Sequence, residues 1–132
     1  MPVIGLELID QLGLSEDDYV ILGSAAAIAH GMDKTNSDLD ILVKESIGVI
    51  SFGILDIGDG KFDGNLSKEY IFSDSVIIDG YRYMGINSLC EFYRTLSEQT
   101  GEEKHVETYA WVRSKQAFIT EFHNRMRINT CI

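Results

Sequence analysis

Residues 19–43 read YVILGSAAAIAHGMDKTNSDLDILV and contain several structural signals in succession. A short apolar, β-prone run predicts a buried strand, and the pair Gly23-Ser24 ends it. The alanine-rich segment 25–30 predicts a short helix. A polar turn follows, and the run 38–43 alternates polar with apolar residues before it becomes wholly apolar, as expected for a second strand. The region therefore predicts strand, bend, helix, turn and strand.

The second of these strands begins with two acids, Asp38 and Asp40. Because strand side chains alternate between faces, both carboxylates are expected on one face. Two carboxylates so close repel each other unless a cation lies between them. Mg²⁺ and similar hard ions take oxygen ligands and leave room for substrate phosphates. The pair therefore predicts a divalent-cation site.

The bend before the helix has the properties of an anion site. Gly23 allows the backbone to approach a ligand closely, and Ser24 adds a hydroxyl group. The exposed N–H groups at the start of the helix, near Ala25, favour a negative charge there. Strand ends, a phosphate cradle and a carboxylate pair would converge on one nucleoside triphosphate.

The rest of the chain predicts a mixed sheet with helices packed on it. The segments expected, in chain order, are a helix over about 4–12, a strand within 49–57, a short strand over 69–72, a hairpin of 76–78 with 81–83 around Asp79-Gly80, a helix from Asn87 or Ser88 to about Thr100, and a final helix over about 102–127. On that last helix, Trp111, Phe118, Phe122 and Met126 form one apolar stripe, which is either core or a partner-binding surface. We expect one α/β (α+β) domain over residues 1–132.

Composition narrows the classes of function. The 21 acidic residues outnumber the 11 basic ones, for a net charge of −10. This charge disfavours extensive nucleic-acid binding, because phosphate-binding surfaces concentrate Lys and Arg. Cys90 and Cys131 match no metal-ligand spacing, so a reduced, cytoplasmic setting is expected. The most apolar stretch is about half the ~20 residues that span a bilayer, so no membrane insertion is expected.

The order Gly-Ser, short helix and Asp-x-Asp resembles the signature of the DNA polymerase β superfamily of nucleotidyltransferases. The alanine-rich helix that ends in His30-Gly31 is most similar to the stand-alone minimal forms among bacterial abortive-infection and toxin–antitoxin nucleotidyltransferases. A weaker similarity continues through Asp79-Gly80, residues 81–89 and Lys104. The chain departs from those forms where Tyr93-Arg94 replaces a helical lysine and where Lys104-His105 replaces a Lys-Asp pair.

This resemblance implies a palm-like nucleotidyltransferase fold and the transfer of a nucleoside monophosphate from a triphosphate to a protein, RNA or small-molecule acceptor. Mg²⁺ or Mn²⁺ would be held by Asp38, Asp40 and a third acid on a neighbouring strand. That third acid would also orient or deprotonate the attacking group. Asp56, a lone acid in an apolar run, is the choice, and Asp59 is the alternative.

The resemblance also implies nucleotide contacts from Gly23, Ser24 and Lys104. In a competing interpretation, the chain has the same fold but does not catalyse transfer. It would then be a catalytically inactive module that acts by protein binding, as an inhibitor or antitoxin-like partner, or by nucleotide sensing. A protein partner or a homodimer is compatible with either interpretation, given so small a domain with a long final helix.

Overall fold

The computed structural model describes residues 2–58 and 66–130, with 127–130 as backbone. Within these ranges it contains five helices and six strands. In chain order they are α1 (Leu6–Leu12), β1 (Tyr19–Ile21), α2 (Gly23–Ala29), β2 (Leu39–Val43), β3 (Ser51–Phe52), β4 (Leu55–Gly58), α3 (Lys68–Asp74), β5 (Val76–Ile78), β6 (Tyr81–Tyr83), α4 (Ile86–Thr100) and α5 (Glu103–Thr130).

The strands form one mixed sheet in the order β3-β4-β2-β1-β6-β5. Strand β1 pairs antiparallel with β2 and parallel with β6, while β2 pairs parallel with β4. The two edges of the sheet are the antiparallel hairpins β3-β4 and β5-β6. The expectation of a mixed sheet with flanking helices is confirmed at this level.

The core lies where α2 packs on the central strands. All of β1 and four of the five residues of β2 are buried. Three successive alanines of α2, Ala25, Ala26 and Ala27, are also buried. Their small side chains allow the helix backbone to lie close to the sheet, and the burial of apolar surface stabilises that arrangement.

The strand expected within 49–57 is present, but as two short strands, β3 and β4, that form a hairpin. Gly53 occupies the first of two turn positions with a φ of 65°, a left-handed conformation that glycine adopts without steric cost. The turn places Phe52 opposite Leu55. The chain reverses direction between β2 and β3 and again at this turn, so β4 runs parallel to β2.

The expected strand over 69–72 is also wrong, because these residues belong to α3. The hydroxyl of Ser67 accepts a hydrogen bond from the backbone N–H of Tyr70 at 3.1 Å, which caps the start of the helix. A capped first turn with Glu69 inside it outweighs the local β propensity of the apolar residues. The Asp79-Gly80 hairpin is confirmed, with positive φ angles of 50° and 87° at its two turn residues.

The final helix packs on the domain only in its first part. Thr108 and Val112 are fully buried, and Trp111 packs against the core. Further along, Phe118, Phe122 and Met126 are 65%, 53% and 49% exposed. The outer part of the apolar stripe is therefore surface. In the described ranges, no helix is both long enough and apolar enough to cross a membrane.

A buried amide fixes the segment that leads into β2. Asn36 is only 4% exposed, and its Oδ1 accepts a hydrogen bond from the N–H of Ile4 at 2.9 Å. Its Nδ2 donates to the carbonyl of Ile4 at 2.9 Å and to the carbonyl of Asp38 at 3.1 Å. The amide therefore joins the N-terminal segment to the backbone beside Asp38.

Asn36→Ala should lower the free energy of unfolding by about 1–3 kcal/mol, because it leaves buried backbone groups without partners. Asn87→Ala is the matched control, since Asn87 is exposed and its side chain accepts one hydrogen bond, from Gln116. The control should change stability by less than about 0.5 kcal/mol. Urea unfolding of both variants measures this, and equal losses would contradict the structural role of Asn36.

Candidate functional site

The structure brings Asp40 and Asp56 together across two neighbouring strands. Asp40 on β2 and Asp56 on β4 are partners in the parallel register. Partners on adjacent strands direct their side chains to the same face of the sheet. The neighbours of Asp40 along its strand, Leu39 and Ile41, are buried, whereas Asp40 and Asp56 reach solvent. The two carboxylates therefore share one accessible face.

Asp38 lies just before β2, which begins at Leu39, and is exposed. The pKa of Asp40 is raised, first because the carboxyl is partly desolvated by its surroundings. The negative charges of Asp56 and Asp38, and a hydrogen bond with Asp56, raise that pKa further. All three acids expected from the sequence thus interact electrostatically at one place.

Asp40 opens onto a cavity of about 250 Å³, here called the polar cavity. It is lined by Gly23, Ser24, Lys34, Thr35, Ser37, Asp38, Asp40, Phe92, Tyr93, Leu96, Lys104, His105 and Thr108. Five of the six residues singled out from the sequence therefore line this cavity. The sixth, Asp56, does not line it but is the strand partner of Asp40, which does.

The bend at Gly23 is held beside Asp40 by the backbone. The N–H of Leu22 donates to the carbonyl of Asp40 at 2.8 Å, which joins the end of β1 to β2. Gly23 is buried and has a φ of 64°, so an L side chain there would be strained. A Cβ at this position would lie 3.6 Å from the phenol oxygen of Tyr93.

Lys104 is near the start of α5 and lines the polar cavity. Its Nζ lies 3.4 Å from a carboxylate oxygen of Glu102, and both side chains are largely exposed. The ring of His105 lies 6.1 Å from that of Tyr93, centroid to centroid. The helix thus contributes one cation and one imidazole to the cavity.

Several lining residues were not singled out from the sequence. Lys34, Thr35 and Ser37 precede Asp38 in the polar turn, and their closeness in sequence to the acid was a usable signal. The sequence marked Tyr93 only as part of the replacement of an expected lysine, and α4 carries it to the site from a distant segment. It is buried, and its phenol pKa is raised first by burial and then by the charge of Asp40.

A second cavity, of about 340 Å³ and here called the apolar cavity, adjoins the first. Its lining is Leu22, Asp40, Ile41, Leu42, Ile50, Asp56, Ile57, Gly58 and Phe92. Asp40 and Phe92 border both cavities. The carboxylate pair therefore stands between a space rich in hydroxyl groups and a space that is mostly hydrocarbon.

The donor chemistry of the site fits a hard divalent cation. Among residues 2–58 and 66–126, no three His, Cys, Asp or Glu side chains are arranged as a complete metal site. Mg²⁺, however, is commonly bound through one or two carboxylates together with substrate phosphates. The Asp40–Asp56 pair, with the charge of Asp38 beside it, suits that mode of binding. Asp59, the alternative third acid, lies outside the described residues.

No model of a protein family matches this chain, and no solved structure gives a significant match.

Asp40→Asn should raise the thermal unfolding midpoint at neutral pH and have little effect near pH 3.5. The raised folded-state pKa means that the folded protein holds the Asp40 proton over a pH range in which the unfolded chain has lost it. Stability therefore falls as the pH rises from about 4, the value for an unfolded aspartate, through the raised pKa. The substitution removes that loss.

Unfolding midpoints of the wild type and the variant, measured from pH 3.5 to 7.5 without divalent ions, check this. Asp79→Asn is the control for the loss of one carboxylate, since Asp79 lies in the exposed β5-β6 turn and asparagine tolerates its positive φ. A midpoint difference for Asp40→Asn that does not grow with pH would contradict the prediction.

Proposed function

We propose that this chain is a metal-dependent nucleotidyltransferase with a palm-like fold of the DNA polymerase β superfamily. It would move a nucleoside monophosphate from a nucleoside triphosphate to an acceptor. The observation that carries the proposal is the pairing of Asp40 with Asp56 in parallel strands, next to the left-handed bend at Gly23. A carboxylate pair with unfavourable self-repulsion at an open cavity is typical of sites that bind cations or transfer protons.

The polar cavity suits the triphosphate. Ser24, Thr35 and Ser37 offer hydroxyl groups that can donate to phosphate oxygens. Lys34 and Lys104 supply positive charge on the same lining, on a chain whose net charge is −10. The two lysines offset the charges of Asp38 and Asp40 on the same lining, and together with the hydroxyl donors they support phosphate binding there.

The carboxylate pair is suited to bind a metal ion beside the reacting phosphate group. A divalent ion between them would neutralise phosphate charge and polarise the α-phosphate. Asp56 would accept the proton of the attacking hydroxyl group. The acceptor oxygen forms a bond to the α-phosphorus, the bond from that phosphorus to its bridging oxygen breaks, and pyrophosphate leaves.

Label transfer tests this function. Each α-labelled nucleoside triphosphate is incubated with the protein, Mg²⁺ or Mn²⁺, and cell lysate as a source of acceptor. Asp40→Asn and Asp56→Asn should each lower transfer by about 100-fold or more, because positioned charge and proton transfer each contribute on that scale. Asp79→Asn should keep wild-type transfer, and no transfer with any triphosphate would contradict the proposal.

Metal binding provides a readout that does not depend on the acceptor. Mn²⁺ with a triphosphate should raise the unfolding midpoint of the wild type, since a ligand that binds only the folded state stabilises it. The Asp40→Asn/Asp56→Asn double variant should lose most of that rise. Differential scanning fluorimetry measures both proteins, and an equal rise would show that the cation binds elsewhere.

A second candidate is the catalytically inactive module that acts by protein contact. The observation that favours it is the exposed stripe of Phe118, Phe122 and Met126 on the outer part of α5. Exposed apolar surface of this kind often marks interaction sites. A folded wild-type protein with neither label transfer nor a metal-dependent rise in unfolding midpoint would support this candidate instead.

A further inference from the structure

We propose that the apolar cavity is the acceptor site, and that the acceptor is a small, neutral or cationic molecule with its reactive hydroxyl on an apolar body. This inference rests on the proposed function and adds the acceptor's chemical class to it.

The location of Asp56 indicates which side the acceptor occupies. Asp56 lines the apolar cavity, whereas Gly23, Ser24 and Lys104 line the polar one, and Asp40 borders both. An in-line displacement requires the attacking hydroxyl and the departing pyrophosphate to lie on opposite sides of the phosphorus. With the triphosphate in the polar cavity, the hydroxyl approaches from the apolar one, within reach of Asp56.

The lining indicates the class of acceptor. In the described residues, the apolar cavity is lined mainly by aliphatic and aromatic residues and by two aspartates, without Lys or Arg. An RNA end would bring its phosphates next to these carboxylates, which repel them. Its volume of about 340 Å³ and its apolar lining with a few polar groups are typical of small-molecule sites.

The rim of the apolar cavity includes an isoleucine, Ile50, whose surface is mostly exposed. Ile50 is 83% exposed, and its carbonyl accepts a hydrogen bond from the N–H of Ile57 at 3.0 Å, which holds it beside the cavity. Val49 and Phe52, its near neighbours in sequence, are each 38% exposed. An apolar acceptor would cover this rim and remove hydrocarbon surface from water.

A nucleobase is the competing occupant of the apolar cavity. The polar cavity, however, also has aromatic residues in its lining, since it shares Phe92 with the apolar cavity and includes Tyr93, beside the expected phosphate contacts. A base can stack there while its triphosphate stays near Gly23. The structure therefore favours the acceptor over the base in the apolar cavity.

Binding is tested with three probes of similar size and different charge: 2-phenylethanol, phenethylamine and phenylacetate. The protein is labelled with ¹³C at its isoleucine methyl groups and followed by NMR. The alcohol and the amine should shift the Ile50 signal saturably, and phenylacetate should bind about 10-fold more weakly or not at all. The Ile77 signal is the internal control, because Ile77 is 42% exposed at the opposite edge of the sheet.

Ile50→Ser should weaken binding of the alcohol and the amine by about 5-fold or more, and Ile77→Ser should leave it unchanged. Both isoleucines are exposed, so neither change removes core packing. No shift at Ile50 with any probe, or equal binding of phenylacetate, would overturn the inference.

Kinetic measurements of nucleotide transfer distinguish a failure of this inference from a failure of the proposed function. With 2-phenylethanol as acceptor, Ile50→Ser should raise the KM for the alcohol about 5-fold and leave the KM for the triphosphate unchanged. A raised KM for the triphosphate would assign the cavity to the base, and lysate label found only in RNA or protein would exclude a small acceptor. Either result overturns the inference and keeps the proposed function, whereas probe binding without transfer to any acceptor overturns the proposed function.

Discussion

The parallel pairing of β2 with β4 is the constraint on which the candidate site depends. It sets Asp40 opposite Asp56 on one face, an arrangement of like charges that weakens strand pairing by itself. The opposite face compensates, because Leu39 and Leu55 are fully buried partners in the same register. Hydrophobic burial on one side of the sheet therefore holds together two carboxylates that repel on the other.

That pairing depends in turn on the short β3-β4 hairpin. A strand can follow β2 in parallel only if the chain first returns along the sheet, and parallel neighbours normally need a long crossover connection. Here β3 and the turn at Gly53 reverse the chain. The N–H of Leu39 then donates to the carbonyl of Ile54 at 2.9 Å, which sets the start of the parallel register. One glycine turn thus controls where Asp56 lies.

The carboxylate pair lies between two environments because different elements build each side. On one side, α2, α4 and α5 contribute hydroxyl groups, a lysine and aromatic rings. On the other, β2, β4 and the segment before β3 contribute mainly aliphatic side chains. Asp40 borders both sides. The same acid can therefore experience partial desolvation, which raises its pKa, and remain open to a ligand.

Local pattern alone was sufficient for the strand, bend, helix and strand of residues 19–43, because strong periodicity and a glycine bend act within a few residues. The closeness of Asp38 to Asp40 followed from the same pattern, and so did the Asp79-Gly80 turn. Residues 69–72 were misassigned as a strand, since a serine cap outweighed a short apolar run that fits more than one structure. The strand expected within 49–57 is divided in two by a glycine turn.

Only the tertiary structure decided which acid stands beside Asp40. Asp56 was one of two choices from the sequence, and the register that pairs it with Asp40 arises from long-range burial of strand partners. Tyr93 reaches the same site on a helix far along the chain. The apolar cavity is likewise a property of packing, because its walls come from segments that share no local sequence pattern.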